Sequence, residues 1–561
     1  MNQLRTRFSR KVVLICVLAL SFLSVAGCQP ASDGAATAVP ISETSEPARP
    51  TPEPRPLPTG TDGYPWWNDT VFYEIFVRSF YDTTGDGIGD LNGVIEKLDY
   101  LVELGVSGIW LMPIADAHSY HGYDVVDYYN IDPDYGTNDD FKRLMAEAHA
   151  RGIRIIVDLV LNHTSREHPW FKEALVNVNS PYRDWYIWVD EAPNYRGPWG
   201  QEVWHRTPTG YYYGVFWGGM PDLNYENPAL TEEMYNVTRY WLEEMGVDGF
   251  RLDAIQHLIE DGPRQENTEA TLAWFADYYA FHKGINPQAI TVGEVWSPTA
   301  QVMRYVGTGV DIAFEFDLAE SIISSVVNAR RNDVFAAHRL LLDSYPPGQF
   351  ASFLANHDQN RLMSQLGNNP ERVKLAATLL LTSPGVPFIY YGEEIGMRGI
   401  KPDENLRLPM QWADEPNGGF TDGRPWRAPH QTHREHHVAG QTDDPDSLLN
   451  HYRALIALRN EHTALRIGDL INVETSDRTL YAYLRQHGEE TILVLVNLGG
   501  AISNYRLDYG VGNLPDTMTA ELLLGGGDIV APEGNGRGGF NNYQPLPELP
   551  ARTGWLIRLT P

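Results

Sequence analysis

Gly249-Phe250-Arg251-Leu252-Asp253 follows an apolar-rich stretch, residues 241–247, and reads as a short strand that delivers a carboxylate at its C-terminal end. Val292-Gly293-Glu294-Val295-Trp296 and Phe353-Leu354-Ala355-Asn356-His357-Asp358 share that grammar, and Ile155-Ile156-Val157-Asp158-Leu159-Val160-Leu161-Asn162-His163 precedes them all. Each of these strands ends in acid or imidazole. Side chains two apart on a strand point the same way, which sets Arg251 beside Asp253 and predicts that the guanidinium holds this carboxylate ionised at neutral pH.

Working outward, strand-like runs lie near residues 71–77, 108–111, 153–158, 248–252, 290–294, 311–316, 351–355 and 387–391. Helical patterns such as 93–104, 138–151 and 368–381 sit between them. Strands alternating with helices predict an α/β protein with a closed (β/α)8 TIM barrel, where the C-terminal strand ends meet at one face. The connection from the third strand to a helix near Asn227 is long and rich in Trp, Tyr, Pro and Gly, so it reads as an inserted subdomain. Beyond about residue 466 the pattern turns to alternation at 479–484, 491–498 and 554–559, which predicts an antiparallel β-sandwich. The expected organisation is a barrel over 64–163 and 223–465, an inserted domain B over 164–222, and a C-terminal domain over 466–561.

A pair of carboxyl groups, one ionised and one protonated, is what glycoside hydrolysis with retention requires. The segments resemble the signature regions of the α-amylase family of glycoside hydrolases: residues 158–163 fit D-x-x-x-N-H, 249–253 fit G-x-R-x-D, Glu294 is the fifth-strand acid, and His357-Asp358 is the H-D pair. The similarity runs on through Tyr73-Glu74-Ile75-Phe76-Val77-Arg78-Ser79-Phe80, Tyr120-His121-Gly122-Tyr123-Asp124 and Tyr391-Gly392-Glu393-Glu394-Ile395-Gly396, covering residues 64–460. The resemblance implies Asp253 as nucleophile, Glu294 as acid and base, and Asp358 as the group that binds and helps distort the sugar. It further implies that Tyr123 stacks on the sugar, that His163, Arg251 and His357 attend the site, and that Asp124 and Arg407 match the pair with which exo-acting α-glucosidases grip a non-reducing end.

Two calcium sites are expected. Asp82, Thr84, Asp86 and Asp90, with the Ile88 carbonyl, place oxygen ligands at alternate positions of a Gly-rich turn, as hard cations favour. A similar loop binds calcium in relatives of the oligo-1,6-glucosidase type, with Asn where this chain has Thr84. The resemblance also implies a site at the junction of barrel and domain B, from Asn162, Asn224 and the His257 carbonyl.

At the N-terminus, Arg5, Arg7, Arg10 and Lys11 precede an apolar run, residues 12–26, too short for a stable membrane span, so residues 1–27 read as an export signal. Val25-Ala26-Gly27-Cys28 resembles a bacterial lipobox, which predicts an exported protein held to the bacterial membrane by a lipid on Cys28. Residues 28–63, rich in Pro, Ala, Ser and Thr, read as a disordered tether. The net charge of −30 repels nucleic acid and anionic polymers, whereas a neutral sugar polymer fits. The expected partners are starch and maltooligosaccharides, with a monomeric chain.

Within the family, Met220-Pro221-Asp222-Leu223-Asn224 resembles the fifth signature of a group lying between the oligo-1,6-glucosidase and neopullulanase types, and Ala254 resembles α-1,4-acting members. The sequence thus predicts α-1,4-endohydrolysis of starch, with an exo-acting α-glucosidase as the alternative. A non-catalytic amylase-like binding domain is the more remote alternative, which the presence of Asp253, Glu294 and Asp358 opposes.

Overall fold

The computed structural model describes residues 55–561, and the expected signal, Cys28 and the tether up to residue 54 lie outside the described residues. Eight short parallel strands form one sheet: β1 Phe72–Ile75, β2 Gly108–Leu111, β3 Arg154–Leu159, β4 Gly249–Leu252, β5 Ile290–Gly293, β6 Ile312–Ala313, β7 Ala351–Ser352 and β8 Val386–Tyr390. They pair in the order β6-β5-β4-β3-β2-β1-β8-β7, and a parallel bridge from Phe314 to Ala351 joins the two ends. The barrel is closed as the alternation of strands and helices predicts, and helices cover its outside. That is why its strands read as apolar runs.

Phe72, Trp110, Ile156, Val292, Phe314 and Phe388 fill the lower barrel as part of one buried cluster, with Phe72 stacked on Phe388 at 4.6 Å between ring centroids. Register decides what lies above this plug. Asp158 pairs with Arg251, and Arg251 with Val292, so two charged side chains stand together in the next layer toward the C-terminal mouth.

Three expectations shift. The helix expected over 93–104 is two helices, Leu91–Glu96 and Leu98–Leu104, broken where Lys97 leaves the helical region at φ −101°, ψ 4°. Strands β6 and β7 are short; after β6 the chain turns into the helix Phe316–Asn328, and after β7 the irregular stretch 353–358 carries Asn356, His357 and Asp358. The end of the tether is also not free. The Pro58 carbonyl accepts from Arg154 Nη2 at 3.0 Å, and Asp62 pairs with His487 at 2.7 Å, so residues 55–63 are tied to the folded body.

The connection from β3 to the helix Pro228–Arg239, which Asn227 caps, contains the helix Pro169–Val176 and a three-stranded antiparallel sheet of Trp188–Val189, Gly210–Tyr213 and Trp204–Thr207. At the C-terminus a five-stranded antiparallel sheet and a three-stranded one share a core. The strand Leu480–His487 is buried on both faces: Leu480, Ala482 and Leu484 enter that core, while Tyr481 and Tyr483 join the barrel-side cluster. Tyr481 Oη bonds His338 Nδ1 at 2.8 Å and Tyr483 Oη bonds Thr382 Oγ1 at 2.5 Å, which satisfies both hydroxyls at the junction.

Candidate active site

Arg251, on β4, is buried at the centre of the barrel mouth. Its Nη1 donates to Asp158 Oδ1 at 2.8 Å and to Asp253 Oδ1 at 2.7 Å, while Nη2 lies 2.7 Å from Glu294 Oε2. The fixed fork of one guanidinium therefore spaces the two carboxylates singled out in the sequence. Ala254 follows Asp253 in the left-handed region, at φ 46°, ψ 37°, a conformation that costs a non-glycine residue on the order of 1–2 kcal/mol. The strain has a use. It turns the Ala254 N–H onto Glu294 Oε2 at 3.0 Å, a second clamp on that carboxyl group.

The expectation that Arg251 alone keeps Asp253 ionised is corrected. Burial lifts the Asp253 carboxyl to about 8 against the pull of Arg251, with Glu294 and Asp158 adding their repulsion. Burial likewise pushes Asp158 up, again opposed by Arg251. One guanidinium shared among three carboxylates cannot neutralise them all, so Asp253 and Asp158 each hold a proton more readily than a free carboxylate, and they titrate as coupled groups rather than one by one.

Asp358 has the opposite environment. Its Oδ1 accepts from Arg407 Nη2 at 2.8 Å and its Oδ2 lies 3.3 Å from His357 Nε2. Although burial pushes it up, His357 and Arg407 hold Asp358 well below the usual carboxylate range. Burial pulls His357 down, but Asp358 and Glu74 together raise it to about 9, so it is an imidazolium at neutral pH. Its Nδ1 reaches Glu74 Oε1 at 2.6 Å, and its Nε2 lies 2.7 Å from Tyr123 Oη. Tyr123 in turn donates to Asp158 Oδ2 at 3.1 Å and stacks on the His357 ring at 5.5 Å.

Glu74 and Asp158 are members of this network that the sequence reading did not assign to the site. The signal was present: Glu74 is the one charge in the apolar run 71–77, and a carboxylate inside a strand buried on both faces needs a buried partner.

A cleft of about 500 Å3 opens over these groups. Asp253, Glu294 and Asp358 line it together with Tyr123, His163 and Arg407, so the structure brings these predicted residues to one place. Arg251 and His357 lie beneath them. Trp199, Trp217 and Trp296 stand at its rim with 61%, 57% and 54% of their surface exposed, flat apolar faces of the kind that receive sugar rings. Burial pulls His163 down to about 3, so it is a neutral ring, its Nε2 3.2 Å from the Tyr123 carbonyl.

Asp124 does not join Arg407. Its Oδ1 accepts from the Ser119 N–H at 3.1 Å and from the Ser119 hydroxyl, while Arg407 bonds Asp358 and, through Nε, the His357 carbonyl at 3.1 Å. The ion pair with which exo-acting α-glucosidases grip a non-reducing end is not formed between these two residues.

The donors of the first expected metal loop are oxygens suited to a hard cation, and among the described residues Asp82, Asp86 and Asp90 have no ion pair. Their carboxylates turn to the loop itself: Asp82 accepts from Thr84, Gly85 and Gly87 N–H, Asp86 from Ile88 N–H, and Asp90 from Thr83 and Gly93 N–H. Among the described residues no three His, Cys, Asp or Glu side chains are grouped as a metal centre. At the junction, Asn162 Nδ2 donates directly to the His257 carbonyl at 2.7 Å, and Asn224 bonds the Asp184 carbonyl and the Glu226 N–H.

Residues 74–468 match the family model described as the alpha-amylase catalytic domain. The chain is 42% identical to alpha-amylase 3 of Dictyoglomus thermophilum over 77% of this chain and 85% of that protein. It is 33% identical to an oligo-1,6-glucosidase of Parageobacillus thermoglucosidasius over 83% and 95% of the two chains. Among solved structures, an alpha-amylase from H. orenii superposes with a TM-score of 0.77 at 39% identity, covering 87% of this chain and 99% of that one. With the arginine-forked carboxylates at the mouth of a closed barrel, these likenesses establish that the chain belongs to the α-amylase family of glycoside hydrolases.

Proposed function

We propose that the protein is a retaining, endo-acting α-amylase that cleaves α-1,4-glucosidic bonds in starch and maltooligosaccharides. Asp253 attacks the anomeric carbon as the C–O bond breaks, and the proton held by the carboxylate cluster passes through Glu294 to the departing oxygen. Water then gives its proton back to Glu294 and its oxygen to the anomeric carbon, releasing Asp253. A single guanidinium holding both carboxylates suits the narrow spacing of double displacement, roughly 5–5.5 Å, better than the gap of ~6.5–9.5 Å that inversion needs. Asp358, kept ionised by His357 and Arg407, accepts from sugar hydroxyls.

The observation that carries the endo reading is the engagement of Arg407 with Asp358 and of Asp124 with Ser119. No ion pair between Asp124 and Arg407 closes the cleft against a chain that continues beyond the cleaved sugar. The test is a maltoheptaoside blocked at its non-reducing end. Internal cleavage supports the proposal; no cleavage, with glucose released singly from the unblocked sugar, identifies an exo-acting α-glucosidase instead.

The proposal extends to two further points. Calcium in the loop 82–90 would neutralise its carboxylates and stiffen the turn. A lipid on Cys28 would hold the exported enzyme at the bacterial membrane, and Cys28→Ser should then release it into the soluble fraction.

A further inference from the structure

Beside the catalytic cleft lies a second hollow of about 570 Å3, comparable in volume to the first, and Trp217 lines both. The sequence Phe216-Trp217-Gly218-Gly219 explains the placement of this ring. A Cβ at Gly219 would fall 2.1 Å from the Trp217 indole, so only glycine lets the ring lie against the backbone there. A Cβ at Gly218 would sit 3.0 Å from His205 Nδ1, so the second glycine lets this histidine approach from the other side. The indole is held between backbone and solvent, more than half exposed, at the boundary of the two hollows.

The second hollow differs from the first in its chemistry. His118, Arg166, His205, Arg206 and Tyr211 line it together with Asp124, Glu167 and Glu202, so it offers both hydrogen-bond donors and acceptors, as sugar hydroxyls require, without the catalytic carboxyl pair. Arg206 lies on the edge strand Trp204–Thr207 of the domain B sheet, and Tyr211 lies directly across from it on Gly210–Tyr213. The guanidinium and the phenol therefore belong to one cross-strand pair on rigid elements rather than to a loose loop. The Tyr212 ring packs at 5.3 Å from the His205 ring, which fixes the imidazole.

We propose that this hollow is a remote binding site for the same glucan chain, entered over Trp217, in which Arg206 and Tyr211 bind sugar units beyond those held in the catalytic cleft. The inference rests on the α-glucan reading above and deepens it to chain length. The occupant follows from continuity: a ring that forms the wall of both hollows is a stacking face that a polymer leaving the cleft can cross. A neutral polyhydroxylated chain, whose hydroxyls both donate and accept, suits a groove of mixed donors and carboxylate acceptors flanked by aromatic rings. Binding energy from such remote units serves the reacting bond only for chains long enough to reach them.

The experiment compares kcat/KM for maltotriose and maltoheptaose in the wild type and in Arg206→Ala/Tyr211→Ala, with thermal melting to confirm that both are folded. The ratio of kcat/KM for maltoheptaose to that for maltotriose should fall about tenfold in the double variant. Calorimetry of maltoheptaose with Glu294→Gln, alone and combined with the double substitution, should show affinity falling by a similar factor. An unchanged ratio, or equal loss on both sugars, overturns the inference. A wild type that hydrolyses neither sugar overturns the α-glucan reading itself, which is a separate result. If the double variant melts early, Arg206→Gln with Tyr211→Phe removes the charge and the hydroxyl while keeping bulk, and must lower the same ratio.

Discussion

Arg407 Nη2 lies 2.8 Å from Asp358 Oδ1, and this contact joins the loop after β8 to the stretch after β7 directly under the cleft. Removing one partner of a fully buried charge pair costs about 2–5 kcal/mol, and since Arg407 is buried while the Asp358 side chain keeps 31% of its surface exposed in the cleft, the lower part of that range applies. Arg407→Ala should therefore lower kcat/KM for starch by about a hundredfold. Asp124→Ala removes only a link to Ser119 and should cost less than about tenfold by the same arithmetic. Steady-state rates of the two purified variants decide. Equal losses would mean that Asp124 and Arg407 work as one unit when sugar is bound.

Asp253 and Glu294 share Arg251 with Asp158, so each carboxylate repels the other two. Glu294→Gln removes proton transfer and should lower kcat by roughly 10²–10⁴. Asp253→Asn, which leaves no nucleophile, should bring hydrolysis below detection. Neither change should lower the melting temperature, because each relieves crowding of negative charge. Arg251→Met should do so sharply, since it strands three buried carboxylates on no cation. Calorimetric scans beside the activity assay test both halves. An active Asp253→Asn enzyme, or a stable Arg251→Met protein, would refute the arrangement.

The barrel was legible because apolar runs and helical patterns alternate along the chain, and a strand buried on both faces advertises itself in composition. Asp253, Glu294 and Asp358 were legible because each ends such a run. The charge state of Asp253 was not, because the sequence shows Arg251 two residues away but not that Asp158 and Glu294, from other strands, claim the same guanidinium. Where the Asp124 carboxylate turns was not legible either: motif positions name residues, whereas Ser119, five residues from Asp124, settles its direction. The tether boundary failed because Pro-rich composition hides the Pro58 carbonyl, which Arg154 uses.

The loop 82–90 should reveal whether it takes a cation through stability. A cation that binds only the native state stabilises it by mass action, about 2.7 kcal/mol at a hundred times its dissociation constant. Excess chelator should then lower the melting temperature, added calcium should restore it, and Asp86→Ala should abolish the difference. Asp86 suits this test because its carboxylate caps only the Ile88 N–H and is exposed. An identical melting curve with and without chelator, and no calcium by elemental analysis, would remove the site.

At the seam between domain B and the barrel, Asp222 is buried with its Oδ1 taking the Val215 N–H at 3.0 Å, while its Oδ2 and Glu260 Oε1 meet no conventional donor among the described residues. Burial pushes Glu260 up to about 8; burial and the neighbouring Glu260 push Asp222 well above the usual range. The two carboxyl groups thus share a proton across the seam. A carboxyl group with a raised folded value binds more protons in the native state than in the unfolded chain. Stability therefore declines as pH rises from the ordinary carboxylate range, about 4.3, through about 8, and levels above it. Glu260→Gln keeps the shape, supplies a permanent donor to Asp222 and removes Glu260's own titration and its repulsion of Asp222, so the decline is smaller in the variant. Its melting temperature should match the wild type near pH 5 and exceed it by several degrees near pH 9. Calorimetry at the two pH values measures the difference directly, and a variant less stable than the wild type at pH 9 would show that the seam needs the second carboxylate rather than the shared proton.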